Sequence, residues 1–502
     1  MQFAVKAWSN GRARAGVLQL SSCPNSIETP ALLLSTMKGL PEFIAPHLLQ
    51  FLPSPDSHLL QTSPLHFLEC PSPKTISSIG GLHQMVGLTE YAFVAAPRDS
   101  IQCLPNCEGT NKFGASFETP CGRRLIKPKE YVEMISSMEP DIWASMADEV
   151  PAWVSEKRNR TSVDRTVRWL DDCIALNVAG GGAIFGAIVG GSSVEERCRC
   201  AQEVVRRNVS GFWIGGFGLG ESMEERSALL NAVTDVLPDE RPRQVSGLGL
   251  PEEILQGVAA GIDLFDSTYI HHLTLGGFAL TFQLDGTDNH VSGSQLSEIG
   301  SDHTKINLRA TVYRKDTSPI VDGCSCYACQ NHTRAYINHL LNVHEMLAQI
   351  LLEIHNTHHY LGFFRLVRAA IKAGEFDQFR QKFIESRRDH LVFAMVSQLQ
   401  NAEEHGHGAI KPSPKCLRPN GWIELDSGNN EEKKETSRSR SSNFTCHRAR
   451  LRNGRRSCDD ERGVFIIAAW GRYVWMWKAF APLAISNAIT DLCAPETRTP
   501  TF

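Results

Sequence analysis

The 502-residue sequence lacks a strong excess of charge of either sign. Its 51 lysine and arginine residues nearly balance 55 acidic residues, which gives a formal net charge of −4 at pH 7. Such a balance does not identify a nucleic-acid-binding protein, although one basic face on a neutral protein remains compatible with that role. The first residues, MQFAVKAWSNGRARAG, also lack the apolar run of a secretory signal, so we do not expect secretion.

The chain has one apolar stretch that approaches the length of a membrane span, and it is interrupted by charge. Residues 464–486 read VFIIAAWGRYVWMWKAFAPLAIS and include Arg472, Lys478 and Pro482. Each charge near the centre of a bilayer costs about 2.5–3.5 kcal/mol on insertion scales. We therefore expect no integral membrane insertion.

Cysteine is plentiful, with 15 residues spread over the whole length. The number is odd and no secretory signal is visible, so a disulfide framework is not expected. We interpret the chain as a protein of a reducing compartment, the cytoplasm, in which clustered cysteines bind metal.

Short apolar runs alternate with amphipathic segments from about residue 29 to residue 310. Near-continuous apolar runs are typical of strands buried on both faces of a parallel sheet. The runs are 30–35, 141–146, 183–189, 211–215, 244–247 and 262–265. Helices are predicted over 194–207 and 251–260. The pattern predicts an α/β fold, and a TIM-like (β/α)8 barrel is favoured over a doubly wound sheet because no GxGxxG opens the first unit.

Four other segments have separate expectations. Residues 48–73 contain several prolines and are predicted to form a loop at the barrel mouth. Leucine, isoleucine and valine recur at helical spacing over 334–353 and again over 362–374, so both segments are predicted to be helical. Residues 386–502 include serine-, arginine- and lysine-rich stretches and are predicted to be a disordered or atypical tail.

A cysteine cluster carries the strongest chemical signal. Cys324, Cys326 and Cys329 lie within six residues, and His355 follows on a predicted helix. Zn²⁺ favours such a mixed sulfur and nitrogen set in tetrahedral geometry. Four protein ligands leave no open position, so we expect one structural zinc ion per chain. The alternative is a set of buried cysteines with a nearby histidine, and the rival ligands are His339, His344, His358 and His359.

The residues around this cluster carry a specific resemblance. Residues 323–368, GCSCYACQNHTRAYINHLL through LLEIHNTHHYLGFFRLVR, resemble the zinc subdomain of the tRNA-guanine transglycosylase family. Residues 80–83 (GGLH), 215–221 (GGFGLGE) and 261–266 (GIDLFD) are similar to further motifs of that family, in the same order. The similarity covers roughly residues 25–385. It implies a barrel over 1–310, a zinc-binding helical subdomain over 311–385, and no counterpart for 386–502.

The resemblance also implies a reaction, the exchange of the wobble guanine of a tRNA. In the family an aspartate attacks the ribose C1′, as carboxylates can in covalent catalysis. Asp266 stands at this nucleophile position. The family's second aspartate, which handles protons, is replaced by Ala95, and the base-reading glutamine corresponds to Val189. The family's arginine after the nucleophile corresponds to His272.

The base-recognition positions Asp148 and Gly216 remain. With the other chemical groups lost, Asp266 is expected to be vestigial and the chain to have no catalytic residue of its own. The resemblance then implies a non-catalytic subunit that forms a heterodimer with the catalytic, queuine-inserting subunit and supports modification of tRNAs with GUN anticodons. Peripheral attachment to the mitochondrial outer membrane is a further expectation without a visible anchor.

Two alternatives remain from the residues alone. One is an independent transglycosylase that uses Asp266, and the other is a zinc-containing RNA-binding protein outside this family. The loss at Ala95, Val189 and His272 argues against the first alternative. The ordered barrel motifs argue against the second, because a small zinc module does not need them.

Overall fold

The computed structural model describes residues 1–177, 182–282, 284 and 304–385. The strands of these residues are β1 (Gln2–Trp8), β2 (Arg14–Gln19), β3 (Ile27–Thr29), β4 (Ala31–Ser35), β5 (Leu59–Thr62), β6 (Ala92–Ala95), β7 (Leu104–Pro105), β8 (Ala115–Thr119), β9 (Gly122–Ile126), β10 (Ile142–Ala144), β11 (Ala183–Ile188), β12 (Gly211–Ile214), β13 (Arg243–Val245), β14 (Leu264–Asp266), β15 (Phe278–Leu280) and β16 (Lys305–Asn307).

The helices follow the strands in a βα alternation through most of the chain. They are α1 (Pro73–Ile79), α2 (Gly81–Val86), α3 (Pro128–Met138), α4 (Glu156–Leu176), α5 (Val194–Val205), α6 (Met223–Thr234), α7 (Pro251–Ala259), α8 (Thr268–Gly276), α9 (Tyr327–Asn331), α10 (Arg334–Asn342) and α11 (Leu347–Ala373). Short 3₁₀ helices cover Pro46–Phe51, Pro64–Phe67 and Thr311–Lys315.

Eight strands close into a parallel barrel, in the order β4, β5, β6, β10, β11, β12, β13 and β14. The barrel closes where β14 pairs with β4, with Asp266 opposite Leu33. Its strands are almost fully buried because the helices cover the outside and side chains fill the inside. The predicted (β/α)8 barrel is confirmed, and the carboxyl ends of all eight strands form one mouth.

The predicted apolar runs coincide with β4 and β10 to β14, and the helix predicted to begin at Pro251 is α7. Proline at the first turn fits because its missing N–H needs no partner there. The predicted loop over residues 48–73 is wrong, since the barrel strand β5 and the 3₁₀ helix Pro64–Phe67 lie within it and the 3₁₀ helix Pro46–Phe51 overlaps its start. The four-residue strand is too short to show a period, and prolines on both sides conceal it.

An antiparallel sheet of β1, β2 and β3 precedes the barrel in the chain. Arg14 on β2 donates two hydrogen bonds to Asp263, at 3.0 and 2.6 Å, just before β14 begins. Arg14 also donates to the carbonyls of Asp239 and Arg241, just before β13. Both members of the Arg14–Asp263 pair are fully buried. The pair therefore fixes the sheet against the amino ends of β13 and β14.

The residues after the barrel build a smaller unit with its own apolar cluster, which includes Ile320, Ile337, Leu341 and Leu352. The helix predicted over 334–353 is wrong in one respect, because α10 ends at Asn342 and α11 begins at Leu347. His344 has a φ of +60°, in the left-handed region that breaks a helix. Residues 362–374, predicted as a separate helical segment, continue α11 without interruption to Ala373.

The long helix α11 returns to the beginning of the chain. Arg368 donates to the carbonyl of Pro30 at 3.0 Å and to Asp56 at 2.8 Å. Lys372 pairs with Glu28 at 2.7 Å. One helix thus connects the smaller unit to the residues that lead into β4.

Among the residues that the structure describes, no helix has the length and apolar character required to cross a membrane. The apolar stretch 464–486 and the rest of the predicted tail lie outside the described residues.

Candidate metal centre and barrel mouth

The fold brings the four predicted zinc ligands together. Cys326 is the N-cap of α9, Cys329 lies in its first turn, and His355 is on α11. One ligand atom from each of Cys324, Cys326, Cys329 and His355 lies within 4.8 Å of all the others. Cys326, Cys329 and His355 are buried and Cys324 is partly exposed. This Cys3His group could hold a metal ion.

The geometry of the group fits zinc. The Nδ1 atom of His355 lies 3.4 Å from the sulfurs of Cys326 and of Cys329. A tetrahedron with Zn–S near 2.3 Å and Zn–N near 2.0 Å has S···N edges of about 3.5 Å. The Nε2 atom of His355 lies 2.8 Å from the carbonyl of Leu280 and donates to it. That bond fixes the tautomer and leaves the Nδ1 lone pair directed at the sulfurs.

The rival histidines do not belong to the group, because among the described residues His355 is the histidine whose ring nitrogen lies within 4.8 Å of all three cysteine sulfurs. The Nε2 atom of His359 lies 2.6 Å from the carbonyl of Phe282, and that of His358 lies 3.4 Å from Ser325 Oγ. His339 and His344 belong to α10 and the turn after it. The structure therefore favours His355 as the nitrogen donor of the cluster.

A second group of metal-ligand types was not predicted. His66, Asp99 and Cys103 also place their ligand atoms within 4.8 Å of one another. His66 Nε2 donates to Asp99 at 2.8 Å while its Nδ1 accepts the Lys38 N–H at 3.3 Å. A metal ion bound to Nε2 would require the His66 ring to lose both of its N–H protons, because Nδ1 already accepts the Lys38 N–H and carries no proton. We interpret this group as a hydrogen-bonded structural cluster, and no sequence spacing indicates it.

Asp266 lies at the barrel mouth, as its position at the end of β14 requires, and is 1% exposed. Its Oδ2 accepts the Gly247 N–H at 2.9 Å, and its Oδ1 is 3.5 Å from the Thr268 nitrogen. Burial raises the pKa of the Asp266 carboxyl, and the Gly247 hydrogen bond and the Arg98 charge only partly oppose this. The carboxylate is therefore held inside the protein rather than exposed in an open cleft.

The other reaction positions carry apolar or differently bonded groups. Ala95 ends β6 and is fully buried, and Val189 follows β11 and is 1% exposed. The Val189 N–H points to Cys200 Sγ at 3.4 Å. His272 lies on α8, one residue after His271, whose Nδ1 is 3.3 Å from Glu42. None of these three substituted side chains is a carboxylate, so none replaces the second acid.

Asp148, at the base-recognition position, is engaged in ion pairs that sequence reasoning missed. Arg158 binds both of its oxygens, at 2.7 and 2.8 Å, and Arg165 binds Oδ2 at 3.0 Å. Asp148 is 1% exposed, whereas the two arginine side chains are partly exposed. Arg158 follows Asp148 by ten residues and lies on α4. The sequence shows this spacing but does not show that the arginine side chain binds the carboxylate.

Gly216, the other retained base-recognition position, is similarly engaged. Its N–H donates to Glu149 Oε1 at 2.6 Å, and the same oxygen accepts from Arg98 at 3.1 Å. The carbonyls of Gly215 and Gly216 accept from the buried Arg197, each at 3.1 Å. The groups that a base would contact at this loop are thus bonded to the protein itself.

The fold and the two sites define a class, (β/α)8 barrels with a Cys3His metal-binding subdomain after the last strand. The family model for queuine tRNA-ribosyltransferase matches residues 9–389. The chain therefore belongs to the queuine tRNA-ribosyltransferase family, and the match begins earlier than the predicted similarity over 25–385.

Individual relatives agree with this family. The human queuine tRNA-ribosyltransferase accessory subunit 2 is 34% identical over 399 residues, which is 71% of this chain and 92% of the relative. The Xenopus tropicalis protein of the same name is 33% identical over 409 residues, 75% of this chain and 97% of the relative. Queuine tRNA-ribosyltransferase of Thermus thermophilus is 30% identical over 408 residues, which is 81% of this chain and 99% of the relative.

Proposed function

We propose that this chain is the non-catalytic subunit of a queuine tRNA-ribosyltransferase. It supports a catalytic partner subunit, with which it forms a heterodimer, in exchanging the wobble guanine for queuine in tRNAs with GUN anticodons. Family membership and the relatives named accessory subunit 2 support a role in this modification. The division of labour rests on the chemistry of the barrel mouth.

The ion pairs of Asp148 carry the proposal. A carboxylate that recognises a base must offer its oxygens to the N–H groups of that base. Here Arg158 occupies both oxygens in a bidentate pair, and Arg165 adds a third bond. Bidentate arginine–carboxylate pairs are among the stronger hydrogen-bonded contacts in proteins. A neutral base would have to displace charged donors in order to bind. We therefore infer that Asp148 stabilises the protein through its ion pairs and does not recognise a base.

The absence of an acid at Ala95 adds to this argument. Base exchange needs a group that moves protons while the nucleophile attacks. A buried alanine at the end of β6 cannot do so. Asp266 is also a weak candidate, because burial raises its pKa and its Oδ2 is committed to the Gly247 N–H. We infer that Asp266 is vestigial and that the chain has no catalytic residue.

The Cys3His group is assigned a structural role. We propose that Cys324, Cys326, Cys329 and His355 bind one Zn²⁺ per chain. Four protein donors complete a tetrahedron and leave no position for water or substrate. The ion would hold α9 against α11 and so keep the smaller unit folded.

A catalytically active transglycosylase is the second candidate. Asp266 favours it, because this residue is kept at the end of β14, and the Thermus thermophilus relative is named as a ribosyltransferase rather than an accessory subunit. The third reading, a zinc-containing RNA-binding protein outside the family, is excluded by the family match.

The deciding experiment measures incorporation of labelled queuine into tRNA by this chain alone, by its catalytic partner alone, and by both together. We expect no incorporation by this chain alone, and more with both than with the partner alone. The pair containing Asp266→Asn should be as active as the wild-type pair. Incorporation by this chain alone, lost on Asp266→Asn, would establish the catalytic alternative instead.

Residence in the cytoplasm, with peripheral attachment to the mitochondrial outer membrane, completes the proposal. Fractionation of cells that express the tagged chain tests it. Recovery with mitochondria and release by high salt would support peripheral attachment, and recovery only in the cytosol would contradict it.

A further inference from the structure

Between β6 and α3 the chain leaves the barrel and builds a separate antiparallel sheet from β7, β8 and β9, which we call the arm (residues 104–127). The eight barrel strands pair with one another without it. β9 lies at the edge of its sheet, and its residues 122–125 are exposed. The arm is therefore a surface element that closure of the barrel does not explain.

Arginines of α4 hold the arm along the outside of the barrel. Three of them donate to backbone carbonyls of the arm, in the same order along both segments: Arg158 to Cys107 at 3.2 Å, Arg165 to Thr110 at 3.4 Å, and Arg168 to Lys112. Arg158 and Arg168 lie about 15 Å apart along the helix, since each residue adds about 1.5 Å. Asp148 binds both Arg158 and Arg165, so one buried carboxylate helps to fix where the arm lies.

The exposed charge of the arm is mainly positive. Its charged residues, all exposed, are the basic Lys112, Arg123, Arg124 and Lys127 and the acidic Glu108 and Glu118. Arg123 pairs with Glu118 at 3.1 Å, whereas Arg124 and Lys127 form no ion pair with another described residue. Charges on an edge strand also discourage pairing between sheets, but either sign serves that purpose. The single sign along β9, in a chain with a net charge of −4, favours an anionic partner.

An exposed aromatic ring belongs to the same arm. Phe113 is 61% exposed and lies in a tight turn, in which the Asn111 N–H donates to the carbonyl of Gly114 at 3.1 Å. The Nζ atom of Lys112 lies 5.0 Å from the centre of the Phe113 ring. Basic side chains contact phosphates, and an exposed aromatic ring stacks with an unpaired base. RNA offers both groups, whereas an acidic peptide offers only the charge.

We propose that the arm is a contact surface for the tRNA substrate, with Arg124 and Lys127 at backbone phosphates and Phe113 against an unpaired base. Asp148 positions the arm through the arginines of α4. This inference rests on the proposed function and deepens it, because it states how a subunit without a catalytic residue supports the exchange. The contact lies outside the barrel along α4 and uses no side chain of the barrel interior.

Binding of fluorescently labelled tRNA to Arg124→Ala/Lys127→Ala tests the charged contacts. Anisotropy measured between about 50 and 300 mM KCl gives Kd and its salt dependence, and each lost phosphate contact lowers the slope of log Kd against log salt by about 0.7–0.9. The double variant should therefore lower the slope by about 1.5–2 and raise Kd roughly tenfold. In the assembled pair, the KM for tRNA should rise while kcat is unaltered.

Lys6→Ala/Arg206→Ala is the matched control. It removes the same charge from two exposed positions outside the arm, one of them on the edge strand β1. Its Kd should change by less than about twofold, because its side chains contact no phosphate. Equal effects of the two double variants, or an unchanged Kd in Arg124→Ala/Lys127→Ala, would overturn the proposal.

Two single variants separate stacking from positioning. Phe113→Ala should raise Kd roughly tenfold without changing the salt slope, because stacking releases no counterions. Asp148→Asn removes the charge that holds Arg158 and Arg165, so amides of residues 107–112 should lose protection from hydrogen exchange and Kd should rise. Asp148→Glu keeps the charge and should restore part of the affinity. Unchanged protection of residues 107–112 in Asp148→Asn would refute the positioning role.

The outcome is separable from the test of function, which uses wild-type subunits. A chain that stimulates its partner but binds tRNA independently of the arm would refute this inference alone. A chain that binds tRNA through the arm but does not stimulate the partner would refute the proposed function alone. Loss of partner binding with unchanged tRNA binding in Arg124→Ala/Lys127→Ala would assign the arm to the subunit interface and overturn the proposal.

Discussion

Replacing Cys326 with serine should remove the metal and loosen the smaller unit while sparing the barrel. Cys326 is 1% exposed, and its sulfur lies 3.4 Å from the Nδ1 of His355. The sulfur also accepts the Cys329 N–H at 3.3 Å as the N-cap of α9. Serine is itself a good N-cap, worth about 1 kcal/mol over alanine, so the substitution retains the cap and isolates the metal contribution.

The magnitude has two bounds. Structural zinc contributes about 10–16 kcal/mol in isolated zinc-finger peptides, which have almost no other core. Here Ile337, Leu341 and Leu352 remain packed in the apolar cluster, so the loss must be smaller. Removing one partner of a buried ion pair costs about 3–5 kcal/mol, and this sets the lower bound for the loss of stability. We expect a loss between these values, confined to the smaller unit.

Metal analysis and hydrogen exchange together test this prediction. The wild type should contain one zinc per chain and Cys326→Ser almost none, and amides of α9 and α10 should lose protection while those of β11 and β12 keep it. Cys103→Ser is the control, because Cys103 is equally buried but belongs to the cluster with His66 and Asp99. Zinc retained at one per chain in Cys326→Ser would refute the ligand assignment.

Three further predictions concern pH and charge. Acidification should release zinc, because thiolates and imidazole must be deprotonated to bind it; a metal-sensitive dye should report loss below about pH 5 and none at pH 8. Burial raises the pKa of Asp266 in the folded protein above the value of about 4 that an aspartate has in the unfolded chain. Ionisation of Asp266 therefore lowers the free energy of unfolding as the pH rises above about 4. Asp266→Asn should therefore gain stability relative to wild type at pH 8 but not at pH 4 in thermal melts, and an equal difference at both would contradict this. Arg14→Ala leaves Asp263 buried without its partner and should cost about 3–5 kcal/mol in urea unfolding. The exposed pair of Arg123 and Glu118, broken by Arg123→Ala, should cost less than about 1 kcal/mol, and equal effects would refute the role of burial.

Local signals made the metal cluster predictable. Three cysteines within six residues must share one turn, and His355 follows at a distance that a returning helix can span. The choice between His355 and its neighbours was less certain in the sequence, because His358 and His359 lie on the same helix. The distance to the sulfurs separates them, because Nδ1 of His355 lies 3.4 Å from the sulfurs of both Cys326 and Cys329, and these contacts join residues 29 and 26 positions apart.

Other features depended on contacts that no local pattern contains. The strand β5 has four residues and is positioned by its neighbours in the barrel, not by its own period. The break between α10 and α11 depends on the conformation of His344, which is not a residue type that usually ends a helix. The sequence indicated which reaction groups were replaced, but not that Asp148 and Gly216 were bonded to Arg158 and Glu149.

The contacts of α11 with the start of the chain have a consequence for synthesis on the ribosome. Arg368 binds the carbonyl of Pro30, 338 positions earlier, and Lys372 binds Glu28. Contacts so far apart in sequence form late, because a long loop must close first. β4 therefore leaves the ribosome hundreds of residues before α11, the helix that packs beside it. Until α11 is synthesised, the residues that lead into β4 remain without these contacts. A message truncated between β14 and α11 would yield a chain in which β14 can still pair with β4 but β4 lacks its covering helix, and the apolar surface left exposed favours recognition by chaperones and proteases.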